Sequence, residues 1–344
     1  MLDVSLEAVT FAYGAGAFAI RDLSASFPRG THTAVVGPPA SGCSTLLRLI
    51  AGQLRPQSGS VRIGARDVTP LSSSRRPLLA LWPEIPFPER WSVRHALVAA
   101  VRQRTLDRED RLHELDLAAE RWRLGKLLDR PFRTLSQSEQ TMAALARVEL
   151  LKPAILVADR PLSGLAASAL ADAADDFYRM LRVLGTTVIV ASHSRLELGL
   201  TDRLLVLNEG AAVQSGIPRQ IFDQPVGSAA ALATGEINLI PVTVTAGIVE
   251  SPLGSWRLTG PPFEGPGLAL IRPGDLEVAA AGEESDLIFG IEEASFHDGA
   301  WMARGFLTGS VPLRVRLPAS TRVQKGRLLP LRYDPSHVRV IRVV

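Results

Sequence analysis

The sequence has a single cysteine, Cys43, among 344 residues, and this scarcity excludes a disulfide framework and a cysteine-based structural zinc site. It also lacks any stretch close to the ~18 consecutive apolar residues that a membrane-spanning helix needs. The first residues, MLDVSLEAVTFAYG, lack the cationic segment and apolar run of a secretory signal. We therefore expect a soluble, cytoplasmic protein.

Lysine is rare as well. Lys126, Lys152 and Lys325 stand among 38 basic residues, and the first 125 residues contain no lysine at all. The net charge of +3 is mild, and the arginines are scattered singly or in short pairs. Nucleic-acid-binding proteins usually cluster their basic residues on one face, so no nucleic-acid partner is expected. The hydrophobic content of 46% is enough for sizeable cores, and the length suggests two domains.

The first part of the chain shows an α/β pattern. Residues 3–11 and 18–27 alternate apolar and polar residues, as half-buried strands do. Two continuous apolar runs, 154–158 and 187–191, are typical of parallel strands buried on both faces, and a helix over 167–184 lies between them. Residues 92–130 have apolar residues at helical spacing, which predicts helices there.

The composition changes near residue 225. Residues 226–236 are predicted to be a linker, and residues 237–344 contain short strands separated by Gly, Pro and Asp turns. We therefore predict an α/β domain over 1–225 and a small all-β domain over 237–344.

A short apolar strand over 32–37 runs into a glycine-rich turn and then a helix over 44–51. The turn consists of Gly37, Pro38, Pro39, Ala40, Ser41, Gly42, Cys43, Ser44 and Thr45. A phosphate-binding loop requires the pattern G-x-x-x-x-G-K-[ST] between a strand and a helix, so that backbone N–H groups surround the phosphates. Both glycines and the hydroxyl residues are present, but Cys43 stands where the lysine belongs. The alternative is an ordinary strand–turn–helix whose glycines serve steric needs.

Further motifs follow in a fixed order. The segment Leu135, Ser136, Gln137, Ser138 and Glu139 precedes a helical stretch that includes MAALAR, and the next buried strand ends at Asp159. Ser192 and His193 follow the strand after that. This order resembles the ATP-binding-cassette (ABC) ATPases, whose LSGGQ signature and A-L-A-R sequence lie just before the Walker B strand.

The β part extends the resemblance. The sequences NLIP at 238–241, ALIRP at 269–273 and the later Tyr333-Asp334-Pro335 resemble the C-terminal TOBE barrel of importer ATPases. That group serves sugars, glycerol-phosphate, polyamines and ferric iron. The resemblance implies a P-loop ABC-type nucleotide-binding domain with a helical subdomain at about 88–135, followed by a small OB-like TOBE barrel.

The resemblance also implies roles for particular residues. Tyr13 falls where the family stacks an aromatic ring on adenine, and the alternative for Tyr13 is a buried strand tyrosine. Residues 37–45 would bind ATP, with Mg²⁺ held by Ser44 and Asp159. His193 matches the switch histidine, whose alternative is a capping or core histidine.

Several positions depart from the family pattern. Arg160 stands where the family has the glutamate that activates water, and arginine cannot accept a proton in a protein. Pro83 aligns with the expected glutamine of the loop before the helical region, and Ala166 with the D-loop aspartate. In the signature, Gln137 and Ser138 replace two glycines, and Glu139 replaces the final glutamine.

These losses suggest a degenerate cassette that does not hydrolyse ATP at its own phosphate loop. Family members work as head-to-tail dimers, so we expect a heterodimer with an intact ATPase subunit, in which Leu135–Glu139 completes the partner's site. The pair would couple to transmembrane permease subunits at the inner face of the cell membrane, and indirectly to a substrate-binding protein. The alternatives are an active ATPase with non-standard catalytic groups, and a regulatory or scaffold subunit acting through the TOBE-like domain. Cys43 could also serve as a redox sensor, since a helix N-terminus lowers the pKa of a thiol. The simpler interpretation, which we favour, is a small residue tolerated once the lysine was dispensable.

Overall fold

The computed structural model describes residues 2–14, 16, 18–83, 87–279, 285, 287–307 and 311–342. The chain divides into two compact units, Met1–Ile221 and Phe222–Val344. In the described residues, none of the helices combines the length and the apolar character needed to cross a membrane.

The first unit is α/β, as predicted. Its strands are β1 (Val4–Ala12), β2 (Phe18–Phe27), β3 (His32–Val36), β4 (Ser58–Ile63), β5 (Arg66–Asp67), β6 (Leu79–Leu81), β7 (Ile155–Asp159), β8 (Thr187–Ala191), β9 (Arg203–Asn208) and β10 (Ala211–Gly216). Its helices are α1 (Cys43–Ala51), α2 (Val93–Val101), α3 (Arg108–Arg121), α4 (Gln137–Leu151), α5 (Ala167–Leu184) and α6 (Arg195–Gly199), and α7 (Pro218–Asp223) runs across the division between the units.

Two sheets build this unit. An antiparallel sheet has the order β2-β1-β4-β5, and a larger sheet has the order β10-β9-β3-β8-β7-β6. In the larger sheet β9, β3, β8, β7 and β6 run parallel, while β10 is antiparallel. Strands β3, β7 and β8 are fully buried, as their mainly apolar sequences predict. Helix α1 packs its apolar residues between the two sheets in one core cluster.

The helical subdomain lies between β6 and β7 in the sequence. Helix α2 packs against α4, and α3 packs against both of them. The largest buried side chain there is Trp122, whose indole N–H donates to Glu149 at 2.7 Å. Asp107 begins α3 and accepts the backbone N–H of Asp110, as an N-cap residue does. The stretch 92–130, predicted to be helical, contains the two helices α2 and α3.

The second unit is mostly β-structure. It contains α8 (Ser228–Thr234), β11 (Asn238–Thr245), β12 (Ile248–Ser251), β13 (Gly254–Arg257), β14 (Gly265–Ile271), β15 (Glu277–Val278), β16 (Leu287–His297), β17 (Ala300–Leu307), β18 (Val311–Pro318), β19 (Leu328–Arg332) and β20 (Arg339–Arg342). The strands form two five-stranded antiparallel sheets, ordered β13-β12-β11-β14-β20 and β15-β19-β16-β17-β18. Residues from both sheets share one apolar core, so the all-β expectation for this part is confirmed.

The segment predicted as a linker, 226–236, is different in the structure. It contains helix α8, and Arg272 of the second unit holds the residues around that helix. The Arg272 guanidinium lies 4.1 Å from the centre of the Phe222 ring. It donates hydrogen bonds to the carbonyl oxygens of Phe222, Ala231 and Glu236 and to the hydroxyl of Thr234. Residues 222–236 therefore belong to the second unit, because a distant arginine satisfies their backbone carbonyls.

Candidate functional site

Three buried strands end at the same edge of the larger sheet. Strand β8 lies between β3 and β7, and the register aligns Val35 with Ala191 and Ala191 with Asp159. The phosphate-type loop follows β3, Asp159 ends β7, and His193 follows β8. Because the carboxyl ends of parallel strands meet at one edge, the sheet brings these sequence-predicted residues together.

The loop after β3 has the conformation that its glycines permit. Gly42 precedes α1 with φ of 99°, a left-handed conformation that side chains other than glycine rarely adopt. A Cβ atom at Gly37 would lie 2.2 Å from the carbonyl oxygen of Leu207, so this position also requires glycine. The loop leads directly into helix α1, which starts at Cys43 rather than at Ser44 as predicted. The loop thus keeps the strand–turn–helix geometry from which an anion site is predicted.

Cys43, at the lysine position, is a buried neutral group. Its exposed fraction is 9%, and its Sγ lies 3.3 Å from Oγ of Ser41. Burial raises the pKa of the Cys43 thiol to about 11, and the negative charge of Asp159 acts in the same direction, against the opposing hydrogen bond from Ser41. The pKa of Cys43 is thus shifted in the direction opposite to the one a redox sensor needs, because desolvation is the largest cause.

We expect Cys43 to react slowly with thiol reagents in the folded chain. A pKa about two units above the ordinary thiol value leaves about 100-fold less thiolate near pH 8, and burial hinders access further. Iodoacetamide labelling should therefore be at least about 100-fold slower in the native state than in denaturant. A Cys43→Ala/Arg55→Cys variant carries an exposed thiol and provides the control. Equal rates for Cys43 in the two states would contradict this reading.

Arg160 and Asp159 form an ion pair at the end of β7. Nε of Arg160 lies 3.5 Å from Oδ1 of Asp159, whose side chain is 5% exposed. Arg160 has φ of 46°, and its N–H donates to the carbonyl oxygen of Ala191 at 2.9 Å. Its own carbonyl accepts the hydroxyl of Ser163 at 2.9 Å, which fixes the backbone further. The position expected for a proton-accepting carboxylate therefore holds a cation paired with the neighbouring aspartate.

Tyr13 lies at the end of β1 beside the phosphate-type loop. Its hydroxyl is 3.1 Å from Oγ1 of Thr45, and its ring meets Phe11 edge-on with centroids 5.0 Å apart. The Tyr13 side chain is 61% exposed, so it is not the buried strand residue of the alternative interpretation. An exposed ring held at this place is available for stacking, which remains a prediction for Tyr13.

Ser136 is the N-cap residue of helix α4. The Glu139 carboxylate accepts hydrogen bonds from both donors of Ser136, its backbone N–H and its hydroxyl. The Glu139 carboxylate accepts the Ser136 backbone N–H at 2.7 Å and its hydroxyl at 3.0 Å, while the Glu139 N–H donates back to the Ser136 Oγ. This arrangement is a capping box, and the hydrogen bond from the Ser136 N–H lowers the pKa of Glu139. The N-terminal end of α4 therefore already has an anion bound to it, the Glu139 carboxylate.

The remaining signature residues occupy different surroundings. Leu135 is buried in the helical subdomain, whereas the side chain of Gln137 lies near Gly164. Oγ of Ser138 accepts a hydrogen bond from the backbone N–H of Ala166 at 3.4 Å, which links the start of α4 to the predicted D-loop position. The signature residues thus form a separate patch at the start of α4, distinct from the loop at 37–45.

His193 is exposed just after the end of β8. The residue before it, Ser192, belongs to a buried hydrogen-bonded cluster with Glu197 and Tyr178. The Glu197 carboxylate, 2% exposed, accepts hydrogen bonds from the hydroxyls of Tyr178 and Ser192. Burial raises the pKa of Glu197, and the two hydroxyls oppose that shift. Ser192 in turn accepts the N–H of Ser194 at 3.0 Å. The exposure of His193 excludes the core-histidine alternative, while its switch role stays a prediction.

Sequence reasoning missed two features of this site. The capping role of Glu139 was visible in the sequence as a Ser-x-x-Glu pattern before a helix. The buried group around Glu197 had no such signal, because Tyr178 comes from the middle of α5 and joins only through the fold.

Solved structures identify the class to which the fold of the first unit belongs. A dimeric bacterial ABC transporter cassette, MJ0796, aligns with a TM-score of 0.56 at 19% identity, covering 62% of this chain and 98% of that chain. The cbiO1 component of an ABC transporter complex from Clostridium perfringens aligns with a TM-score of 0.55 at 24% identity, covering 64% and 90%. At these identities the likeness establishes the fold alone: an ABC-type cassette.

Sequence relatives then identify the family. The ABC transporter family profile matches residues 20–163. The Fe(3+) ions import ATP-binding protein FbpC of Agrobacterium fabrum is 32% identical over 282 residues, covering 78% of each chain. The sn-glycerol-3-phosphate import ATP-binding protein UgpC of Rhizobium meliloti is 31% identical over 282 residues, covering 81% of this chain and 79% of the relative. A second such protein, UgpC 3 of Agrobacterium fabrum, is 27% identical and spans 96% of this chain. The chain belongs to the ABC transporter family.

Proposed function

We propose that this chain is a nucleotide-binding subunit of an ABC importer that does not hydrolyse ATP at its own phosphate loop. The observation that carries the proposal is the Arg160–Asp159 ion pair, since it puts a cation where the reaction needs a proton acceptor. The neutral, buried thiol of Cys43 supports it, because charge-assisted contacts to the β- and γ-phosphates are lost.

The importer class rests on the relatives. Proteins named for the import of sn-glycerol-3-phosphate and of Fe(3+) match this chain over similar lengths and at similar identities. The proposal therefore covers importers as a class, with the solute chosen by the permease and the substrate-binding protein. We place the subunit at the cytoplasmic face of the membrane, against the permease.

We also propose that the subunit pairs with an intact ATPase subunit. A homodimer of this chain would have two sites without the lysine and without the base. A heterodimer keeps one complete phosphate loop, that of the partner, facing the start of α4. Ser136 could donate a hydrogen bond to the partner's nucleotide only after releasing Glu139. The free energy that closes the dimer around the nucleotide would therefore come mainly from the partner's phosphate loop.

The test uses the chain alone and in its complex. The purified chain should release no phosphate from MgATP beyond the rate of its own Asp159→Ala variant. The complex isolated with the tagged chain from its host should hydrolyse ATP at a rate that Asp159→Ala in this chain leaves unchanged. Robust hydrolysis by the chain alone, abolished by Asp159→Ala, would mean an active ATPase. A complex without any second ATPase subunit would favour a regulatory or scaffold role.

A further inference from the structure

The exposed ring of Tyr13, directly after β1, is held at two points. Its hydroxyl lies 3.1 Å from Oγ1 of Thr45, within hydrogen-bond distance, and its ring meets the Phe11 ring edge-on at an interplanar angle of 88°. An exposed tyrosine without such contacts turns about its side-chain bonds and loses that freedom when a ligand binds. The Tyr13 ring is instead presented to solvent in one orientation before any ligand arrives.

The antiparallel sheet places this ring beside the loop at 37–45. The register of β1 and β2 pairs Phe11 with Ile20. A Cβ atom at Gly42 would lie 2.9 Å from Cδ1 of Ile20, so β2 packs closely against the loop. Thr45 is buried in the first turn of α1, which follows the loop. Two separate contacts, one through Ile20 and one through Thr45, thus join this end of the sheet to the loop.

The loop itself lacks a cation. Burial keeps the thiol of Cys43 neutral, so a charge-assisted contact to the phosphates, typically worth about 10- to 100-fold in affinity, is absent at that position. An aromatic ring contributes affinity in a different way, because a base stacks on its face whatever the charge of the phosphates. Stacking of one base on one ring typically contributes about 5- to 150-fold in affinity. A ring fixed beside a weakened phosphate loop can therefore supply much of the affinity for a nucleotide.

From these contacts we infer that Thr45 is a positioning residue for Tyr13: together with Phe11 it fixes the exposed ring for stacking, so that this chain selects a nucleotide by its base rather than by its phosphates. The inference rests on the proposed function, because it concerns nucleotide binding at the same loop.

The experiment compares ATP with inorganic tripolyphosphate, which has the phosphates without the base. Calorimetry with the full chain in excess MgCl₂ gives the dissociation constant of each, and we expect ATP to bind at least about tenfold more tightly. Thr45→Val removes one hydroxyl and keeps the shape, and Tyr13→Phe removes the other and keeps the ring. Each variant should weaken ATP binding by about three- to tenfold, because the released ring must be ordered again on binding. Neither should change the affinity for tripolyphosphate by more than about twofold.

The double variant Thr45→Val/Tyr13→Phe separates positioning from direct contact with the phosphates. Both changes remove the same hydrogen bond, so the double variant should bind ATP about as weakly as either single variant. If the Thr45 hydroxyl acted on a phosphate, the two losses would add, and Thr45→Val would weaken the binding of tripolyphosphate as strongly as that of ATP. Phe11→Leu removes the edge-on contact and should weaken the binding of ATP alone.

Tyr333→Phe is the matched control. It removes a tyrosine hydroxyl that donates to the carbonyl oxygen of Leu253 in the second unit, and it should leave both affinities unchanged. The circular dichroism spectrum and the melting temperature establish that each variant is folded.

Equal affinities for ATP and tripolyphosphate, or additive losses in the double variant, would overturn the inference and leave the proposed function intact. A chain that binds no ATP would overturn the inference together with the nucleotide-binding part of the proposed function. Hydrolysis enters neither result, because phosphate release is measured separately.

Discussion

The triple variant Cys43→Lys/Arg160→Glu/Glu139→Gln should hydrolyse MgATP at least about 100-fold faster than the unaltered chain. It restores the phosphate-binding cation, the proton acceptor and the uncharged signature residue together. A positioned base contributes about 10²- to 10⁴-fold, and each charge-assisted contact to the phosphates about 10- to 100-fold. The measurement is phosphate release at saturating ATP by the purified variant.

The single variants should gain far less, because residues that act as a unit in a reaction are strongly non-additive. Arg160→Glu alone supplies a base beside a loop that holds the phosphates weakly. Cys43→Lys alone supplies a cation without a base. Cys43→Met, of similar length but uncharged, separates the effect of charge from that of size. Asp159→Ala added to the triple variant should abolish the gain. A triple variant that folds, binds MgATP and remains inactive would show that the defect lies elsewhere in the chain.

Folding stability of the first unit should fall steeply in mild acid because of His32. This residue is fully buried in β3, and neither ring nitrogen has a hydrogen-bond partner in the described part of the chain. Burial lowers the pKa of His32 to about 4, and the Arg182 charge lowers it further against the opposing charge of Asp202. The unfolded chain takes up a proton on His32 below about pH 6.5, whereas the folded chain does so only near pH 4.

This difference destabilises the folded state as the pH falls from about 6.5 to about 4. The expected loss in the free energy of unfolding is about 2 kcal/mol at pH 5 and about 3 kcal/mol at pH 4. Urea unfolding of the wild-type chain and of His32→Leu, compared near pH 7.5 and near pH 5, measures it. The wild type should lose about 2 kcal/mol more than His32→Leu. His113→Leu, a change at an exposed histidine of α3, should behave like the wild type. Parallel losses in wild type and His32→Leu would contradict the assignment.

The strands and the loop that define the site were largely readable from the sequence. Buried parallel strands have uninterrupted apolar sequences, and the glycines of the loop mark conformations that few other residues adopt. The substitutions at Cys43 and Arg160 were also visible, because the motif fixes what chemistry those positions need. The consequence of the Cys43 substitution was not visible, because the raised pKa of its thiol follows mainly from burial by surrounding elements.

Features formed by residues far apart in sequence escaped prediction. Residues 226–236 have the small, flexible composition of a linker, yet Arg272, which directly follows β14, satisfies the carbonyls around α8. The burial of His32 depends on helix α5, whose Tyr178 ring lies 5.8 Å from the imidazole. Neither contact has a local sequence signal, because both arise from tertiary packing.

In the proposed dimer, the capping box at Ser136 would make nucleotide binding at the start of α4 an exchange of ligands. A bare helix N-terminus gains the full attraction of its unpaired N–H groups for an arriving phosphate, whereas this helix must first give up the Glu139 carboxylate. One anion would leave as another arrives, and the net free energy of that exchange would be the small difference between two similar interactions. The capping box would therefore hold the first turn of α4 in shape whether or not a partner's nucleotide is bound.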